Sequence, residues 1–366
     1  MKQANKVCCK SSELISILEQ QLSGKMNLAR IKFTAMFICA LCKVQTVCFE
    51  KLATAFQTRA KPASSLRRIQ RFMAEYALDV ELTARLIFKL LPHKPPYRLA
   101  MDRTNWKFGT TSINVLTLAI VYKGVAFPLL MAMLDKQGNS NTKERIDLID
   151  KYIKLFGKDT IDCLLADREF IGAHWIKYLN QRNIRYYIRI RQNFIVEHPG
   201  TEQTDKAFEM FANLTCGQTQ FLPDVYRVNG QSCYLAASKV KNKQGASELQ
   251  IIIAFDKPEQ AIPTYKDRWQ IETAFKALKS SGFHIEDTHV RHLNRIEKLF
   301  SMVMIAFTWA YVVGIFAHEH LKPIRILKHG RRAQSFFKHG LQIIAATWLN
   351  PMTTTKINIA KFLSCT

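Results

Sequence analysis

Apolar residues recur at helical spacing through roughly the first quarter of the chain. They do so in SSELISILEQQL, in MFICALCKVQTVCFEKLA and in VELTARLIFKLLP, so residues 1–95 read as a helical region closed by the proline-rich stretch 92–96. Within it, Ser64 and Ser65 are candidate caps for the helix LRRIQRFMAEYAL, which carries Arg67, Arg68 and Arg71. From Tyr97 the pattern changes. YRLAMD reads as a strand, and INVLTLAIVYKGVAFPLLMAML as two apolar, β-branched strands that turn at Lys123-Gly124. A helix from about Thr142 to Phe156, the short strand TIDCLLAD, the helix FIGAHWIKYLNQRN and the strand IRYYIRI complete a mixed α/β sheet, spanning 96–194. Residues 195–262 break that rhythm with short strands. VYRV and QSCYLAASKV form a hairpin across Asn229-Gly230, LQIIIAF follows, and the segment reads as a β insertion. Pro263-Thr264 reads as a helix start, with Asp267 three residues past the threonine as its capping partner. The remaining segments, 263–290 and 291–366, are helical in pattern.

One stretch tests that picture. Leu299 to Ala317 is 19 residues without a charge, long enough to cross a bilayer. It is a single segment with basic residues on both sides, Arg295 and Lys298 before it and Lys322 and Arg325 after it. The expectation is a helix buried in the centre of a large domain, which can be apolar all round.

Composition adds the partner. The chain has 366 residues, enough for two or three domains, and its 53 Lys and Arg against 29 Asp and Glu leave a formal net charge of +24. An excess spread along the whole chain calls for a polyanion, and nucleic acid is the commonest. The nine cysteines are odd in number and lack paired spacing, which fits a reducing cytoplasm. Cys39 and Cys42 form a C-x-x-C without a second pair or a nearby His, so buried helix cysteines are expected and not a metal or redox site.

Candidate chemistry lies in three acids. Asp102 follows YRLAM and Asp167 follows DCLLA, each at the end of an apolar strand and each followed by Arg. On neighbouring strands the two carboxylates would emerge together at the carboxyl edge of the sheet, where α/β proteins bind ligands. Close carboxylates repel unless a cation lies between them, and oxygen donors suit Mg²⁺ or Mn²⁺. An Asp that merely caps a loop is the alternative for either residue alone. The third acid sits in TYKDRWQIETAFKALKSSG, where Tyr265, Arg268, Glu272 and Lys279 are spaced by 3, 4 and 7. On one helix they form a stripe about 60° wide and about 21 Å long. Ile271, Ala274 and Leu278 occupy the adjoining arc, with Phe275 at the edge of the stripe. Three carboxylates holding two cations suit phosphodiester chemistry, with Arg268 and Lys279 on flanking phosphates.

Tyr265-x2-Arg268-x3-Glu272-x6-Lys279 resembles the Tyr-Arg-Glu-Lys (YREK) signature of a bacterial insertion-sequence family of DDE transposases, in all four residues and all three spacings. AMDRTNWKFG and LLADREF resemble that family's first and second catalytic segments, and the order of regions agrees. The resemblance implies a ribonuclease H-like fold with flanking helical regions, the N-terminal one binding DNA; the helix face of Arg67, Arg68 and Arg71 suits DNA contact, with an ordinary solvated basic face as the alternative. It implies Asp102, Asp167 and Glu272 as catalytic ligands of two Mg²⁺ or Mn²⁺ ions, with Tyr265, Arg268 and Lys279 on the DNA backbone. It implies cut-and-paste movement through hairpin ends, double-stranded terminal inverted repeats and target DNA as partners, a homodimer in the DNA complex, and a cytoplasmic, nucleoid-associated protein without a membrane. The same fold also serves a nuclease that does not join DNA, or an inactive DNA-binding derivative. One departure is visible: such relatives hold a flipped base on a Trp of the β insertion, and the insertion here has none. Phe221, Tyr226 and Tyr234 are the aromatics that could stack there, with a core or strand-pair role as the alternative.

Overall fold

The computed structural model describes residues 8–56, 58–109, 111–241, 244–349 and 359–363. Cys365 and the outermost residues of both expected helical regions lie outside the described residues. Five helices open the chain: α1 (Cys8–Leu22), α2 (Leu28–Val44), α3 (Phe49–Ala55), α4 (Pro62–Glu75) and α5 (Val80–Leu90). Three strands follow, β1 (Tyr97–Phe108), β2 (Thr111–Tyr122) and β3 (Val125–Met133), then α6 (Thr142–Phe156), β4 (Ile161–Ala166), α7 (Ala173–Gln181) and β5 (Tyr186–Ile190). The short strands β6 (Ile195–Glu197), β7 (Thr204–Lys206), β8 (Thr219–Phe221) and β9 (Tyr226–Val228) precede the longer β10 (Gln231–Lys241) and β11 (Ser247–Ala254). The chain closes with α8 (Ala261–Tyr265), α9 (Trp269–Lys279), α10 (Leu293–His320) and α11 (Phe336–Leu349).

These elements form two compact units, one of residues 1–93, 106–113 and 275–366, the other of 94–105 and 114–274. In the first, helical unit, α10 is the central element and packs against α2, α4, α5 and α11. Its most apolar window is 89% buried inside the protein, so the uncharged run is a core helix, as its pattern suggested. One charge enters that core: Lys298, 6% exposed, donates from Nζ to the carbonyl oxygen of Tyr76 at 2.7 Å. Cys39 and Cys42 are buried on α2, and burial pushes the Cys39 thiol up to about 12, which keeps it an inert core residue. The expected caps at Ser64 and Ser65 are overturned. α4 begins at Pro62, with Lys61 in the capping place and no side-chain hydrogen bond there, because proline presets the first helical turn and draws the start forward.

The second unit holds the sheet. Among the described residues it runs β3-β2-β1-β4-β5-β11-β10-β9-β6-β7, with β8 also paired to β10. β1 pairs β4 in parallel and β4 pairs β5 in parallel, while β2 and β3 are antiparallel, as are β5, β11 and β10 in turn. The two tight turns work as their residue types demand: Lys123 and Gly124 have φ of 47° and 91°, Asn229 and Gly230 have 51° and 70°. Positive φ at both positions gives the primed turns that match strand twist. β11 lies beside β5, so the strands after residue 195 continue the same sheet. α6 packs on β3 and α7, and α8 packs on β5, β10 and β11.

Candidate active site

The register of the parallel strands builds the site. Met101 of β1 stands level with Ala166 of β4, so Asp102 and Asp167, the residues that follow, leave this parallel pairing side by side. Asp102 was expected at a strand end but lies inside β1, which runs on to Phe108 to pair with β2, whereas Asp167 stands just past the end of β4. Each accepts a hydrogen bond from the next amide, Arg103 N–H at 2.7 Å and Arg168 N–H at 2.6 Å. Burial pushes the Asp102 carboxyl up to about 6; the charges of Glu169 and Asp167 push the same way, against the Arg103 amide and Arg268. Behind Asp102, Arg103 donates to both oxygens of Glu169 at 3.3 Å and to Asn114 Oδ1 at 3.0 Å.

Glu272 reaches this edge through Arg268. The Arg268 guanidinium donates to Glu272 Oε1 at 2.6 Å and to Asp102 Oδ2 at 3.5 Å, and its side chain is 11% exposed. Burial works against its charge, and Tyr265, Asp167, Glu272 and Asp102 outweigh that. One cation therefore ties the third acid to the first. Tyr265 packs below, its ring 5.8 Å from the Arg268 guanidinium carbon, in a cluster with Leu165, Tyr187 and Ile252. The stripe is not carried by one straight helix. α8 ends at Tyr265, a 3₁₀ turn spans Lys266–Arg268, and α9 starts at Trp269. The expected capping of Thr264 by Asp267 is also overturned: Thr264 is buried inside α8, and Asp267 instead accepts from Arg98 at 2.6 Å and Gln270 at 2.8 Å, which fastens the tight turn.

The remaining expected positions are found as follows. Ile271, Ala274 and Leu278 are buried, as is Phe275. Lys279 belongs to the helical unit, where it pairs with Glu286 at 2.8 Å and lies 5.8 Å from the centre of the Trp106 ring. Arg67, Arg68 and Arg71 are all exposed on α4. Arg68 and Arg71 line a cleft of about 250 Å³ with Arg30, Phe33, Phe72 and Tyr76. Arg30 stacks 4.2 Å from the Tyr76 ring centre and Arg68 5.5 Å from that of Phe33. Arg30 was not singled out by the sequence pattern, since a lone Arg on an apolar helix carries no spacing signal. Of the aromatics considered for stacking, Phe221 is exposed on β8, Tyr226 is buried against His198, and Tyr234 packs on the cluster under Tyr265.

As donors, Asp102, Asp167 and Glu272 are hard oxygen ligands suited to Mg²⁺ or Mn²⁺ and offer nothing to softer metals. Among the described residues no group of three or more His, Cys, Asp or Glu stands close enough to hold a metal ion; at this edge the Arg268 guanidinium supplies the positive charge.

The mixed sheet thus carries Asp102 inside β1 and Asp167 just past the end of β4, with Glu272 tied to Asp102 through Arg268. The transposase DDE domain model matches residues 93–309, more than half of the chain, and the protein belongs to that family. No curated protein matches it. Membership implies a transposition-related nuclease activity on DNA, of a kind that typically uses divalent metal ions.

Proposed function

We propose that this protein is a DNA transposase of the YREK type, which cuts DNA at the ends of its own insertion sequence and joins them to a target. The observation that carries the reading is the acidic edge: Asp102 and Asp167 level on adjacent parallel strands, with Glu272 bound to Asp102 through one guanidinium. In this reading Asp102, Asp167 and Glu272 hold two Mg²⁺ or Mn²⁺ ions, which when bound activate the attacking oxygen and stabilise the leaving 3′ oxygen. The strand order β3-β2-β1-β4-β5, with its parallel centre and antiparallel edge, supports a ribonuclease H-like core.

The chain's own residues then divide the work. Tyr265, Arg268 and Lys279 hold the backbone beside the cut, Arg as a fork and Lys as a point charge. Arg67, Arg68 and Arg71 bind DNA in the N-terminal helical region, where the arginine-lined cleft supports phosphate contact. The domains are a DNA-binding region to about residue 95, a core interrupted by the β insertion of 195–262, and a helical C-terminal region. Cutting frees a 3′ hydroxyl, which attacks the opposite strand to give a hairpin; the hairpin is reopened and the end joined to target, by a homodimer on paired ends in the bacterial cytoplasm.

The test incubates the protein with Mg²⁺ and a duplex copied from the DNA that flanks its coding sequence. Nicked, hairpinned and joined products are expected, and a chelator should remove all three. Glu272→Gln and Asp102→Asn should each lower cleavage by about a thousandfold or more, since several kcal/mol of transition-state stabilisation goes with a ligand. Equal products from wild type and Glu272→Gln would refute the assignment. Cleavage without joining would instead identify a nuclease.

A further inference from the structure

Beyond α10 the chain turns wholly basic: from His320 to Thr366 it holds no Asp or Glu but eight Lys or Arg. Part of this stretch is a small two-stranded ribbon between α10 and α11. Ile326 is bridged antiparallel to Arg332. On either side of that bridge, Ala333 N–H donates to the Arg325 carbonyl and Leu327 N–H to that of Arg331, both at 2.8 Å. Gly330 N–H closes the turn onto the Leu327 carbonyl at 2.9 Å, with the glycine at a φ of 79°.

The ribbon is fastened at its base and bare above it. Ile324 is buried and donates its N–H to His318 Nδ1 at 2.8 Å, and the Arg332 guanidinium carbon lies 4.3 Å from the centre of the Phe336 ring. Alternation puts Ile326 and Arg332 on one face. Arg325 and Arg331 stand on the other as diagonal neighbours, roughly 7–8 Å apart. Arg325, Lys328 and Arg331 are exposed, and among the described residues none of them pairs with an acid. Like charges so placed repel, and a ribbon without an acid of its own is neutralised only from outside.

Resting on the reading of the protein as a transposase, we infer that this ribbon, residues 325–333, is the docking surface for the target duplex, with Arg325, Lys328 and Arg331 on phosphates of its backbone. A target is DNA of arbitrary sequence, and positive charge without base-reading groups binds DNA in that sequence-independent way. The exposed polar side chains of the ribbon are these cations and His329, while Gln334, just beyond it, is tied to His339 at 3.1 Å. The fixed base presents the charges without a further cost of ordering them.

The test compares the full-length protein with the double variant Arg325→Gln, Arg331→Gln, with Lys328→Gln, and with the double variant Arg325→Lys, Arg331→Lys. Three quantities are measured: cutting of the flanking duplex, joining of its ends to a plasmid of unrelated sequence at low plasmid concentration, and the salt dependence of binding to a duplex of arbitrary sequence. The glutamine pair should cut as wild type does and join roughly tenfold less, and its slope of log affinity against log salt should be shallower by about two. Lys328→Gln should make that slope shallower by about one. The lysine pair keeps both charges and should match wild type in all three. Unchanged joining or an unchanged slope in the glutamine pair overturns the inference. So does cutting that falls in step with joining, which would put the transposon end and not the target on the ribbon. Loss of binding to phosphatidylserine vesicles with DNA binding intact would assign the ribbon and its exposed Ile326 to a membrane, and overturns it too. A wild type that neither cuts nor joins refutes the proposed function itself, and the salt slope then decides whether the ribbon meets DNA at all.

Discussion

Asp102 is held in a state that disfavours its charge. A carboxyl whose folded value lies above the ordinary 3.8, here about 6, binds protons more readily in the folded chain. Its contribution to stability is therefore fully present below pH 3.8 and is lost as pH rises through about 6. The difference corresponds to about 3 kcal/mol near neutral pH. Asp102→Asn, which keeps the shape without the charge, should stabilise the chelator-treated protein by up to about 3 kcal/mol near neutral pH and by almost nothing near pH 4. Urea unfolding at both pH values checks this; no gain near neutral pH would contradict it. The sequence singles out Asp102, Asp167 and Glu272 by an apolar run before Asp-Arg or by a spaced stripe, though it does not show that β1 continues beyond Asp102 to Phe108. The tie between Glu272 and Asp102 is not legible there, because spacing along one stripe does not show that Arg268 donates to both acids.

Elements were more legible than their ends. The bounds of α6 and the two primed turns follow from periodicity and turn chemistry, whereas the caps at Ser64 and Thr264 were misplaced because proline and an ion pair from a distant strand decided those starts. Nor does a uniformly apolar run show where α10 is approached most closely. A Cβ on Gly314 would overlap the carbonyl oxygen of Phe336, and one on Gly340 that of Ala310, so α10 and α11 touch backbone to backbone. Glycine to alanine inside a helix ordinarily stabilises by roughly 1 kcal/mol. Here the sign should reverse, with Gly314→Ala and Gly340→Ala each destabilising by about 3 kcal/mol as the helices are forced apart. Thermal unfolding reads the sign directly, and a rise in midpoint for either variant would show that the crossing can open.

At the scale of the whole molecule, the charge of +24 sets how the protein meets its substrate. Binding to duplex DNA of arbitrary sequence should fall by about a thousandfold or more between about 50 and 200 mM salt, as several phosphates recover their counterions. A titration by fluorescence anisotropy measures that slope, and a flat response would mean the basic residues do not face DNA. The charge excess was plain from composition. The pairing order of the sheet was not, since no local pattern records which strand lies beside which.

That pairing order has a final consequence. Asp102 and Asp167 are brought side by side only by the relative offset of β1 and β4. If β4 slipped by a single position it would turn Asp167 to the opposite side of the sheet while leaving backbone pairing nearly intact. A batch containing such misaligned molecules would show ordinary secondary structure by circular dichroism yet be chemically dead in proportion. Specific activity, and not spectroscopic folding, is thus the gauge of correctly assembled protein.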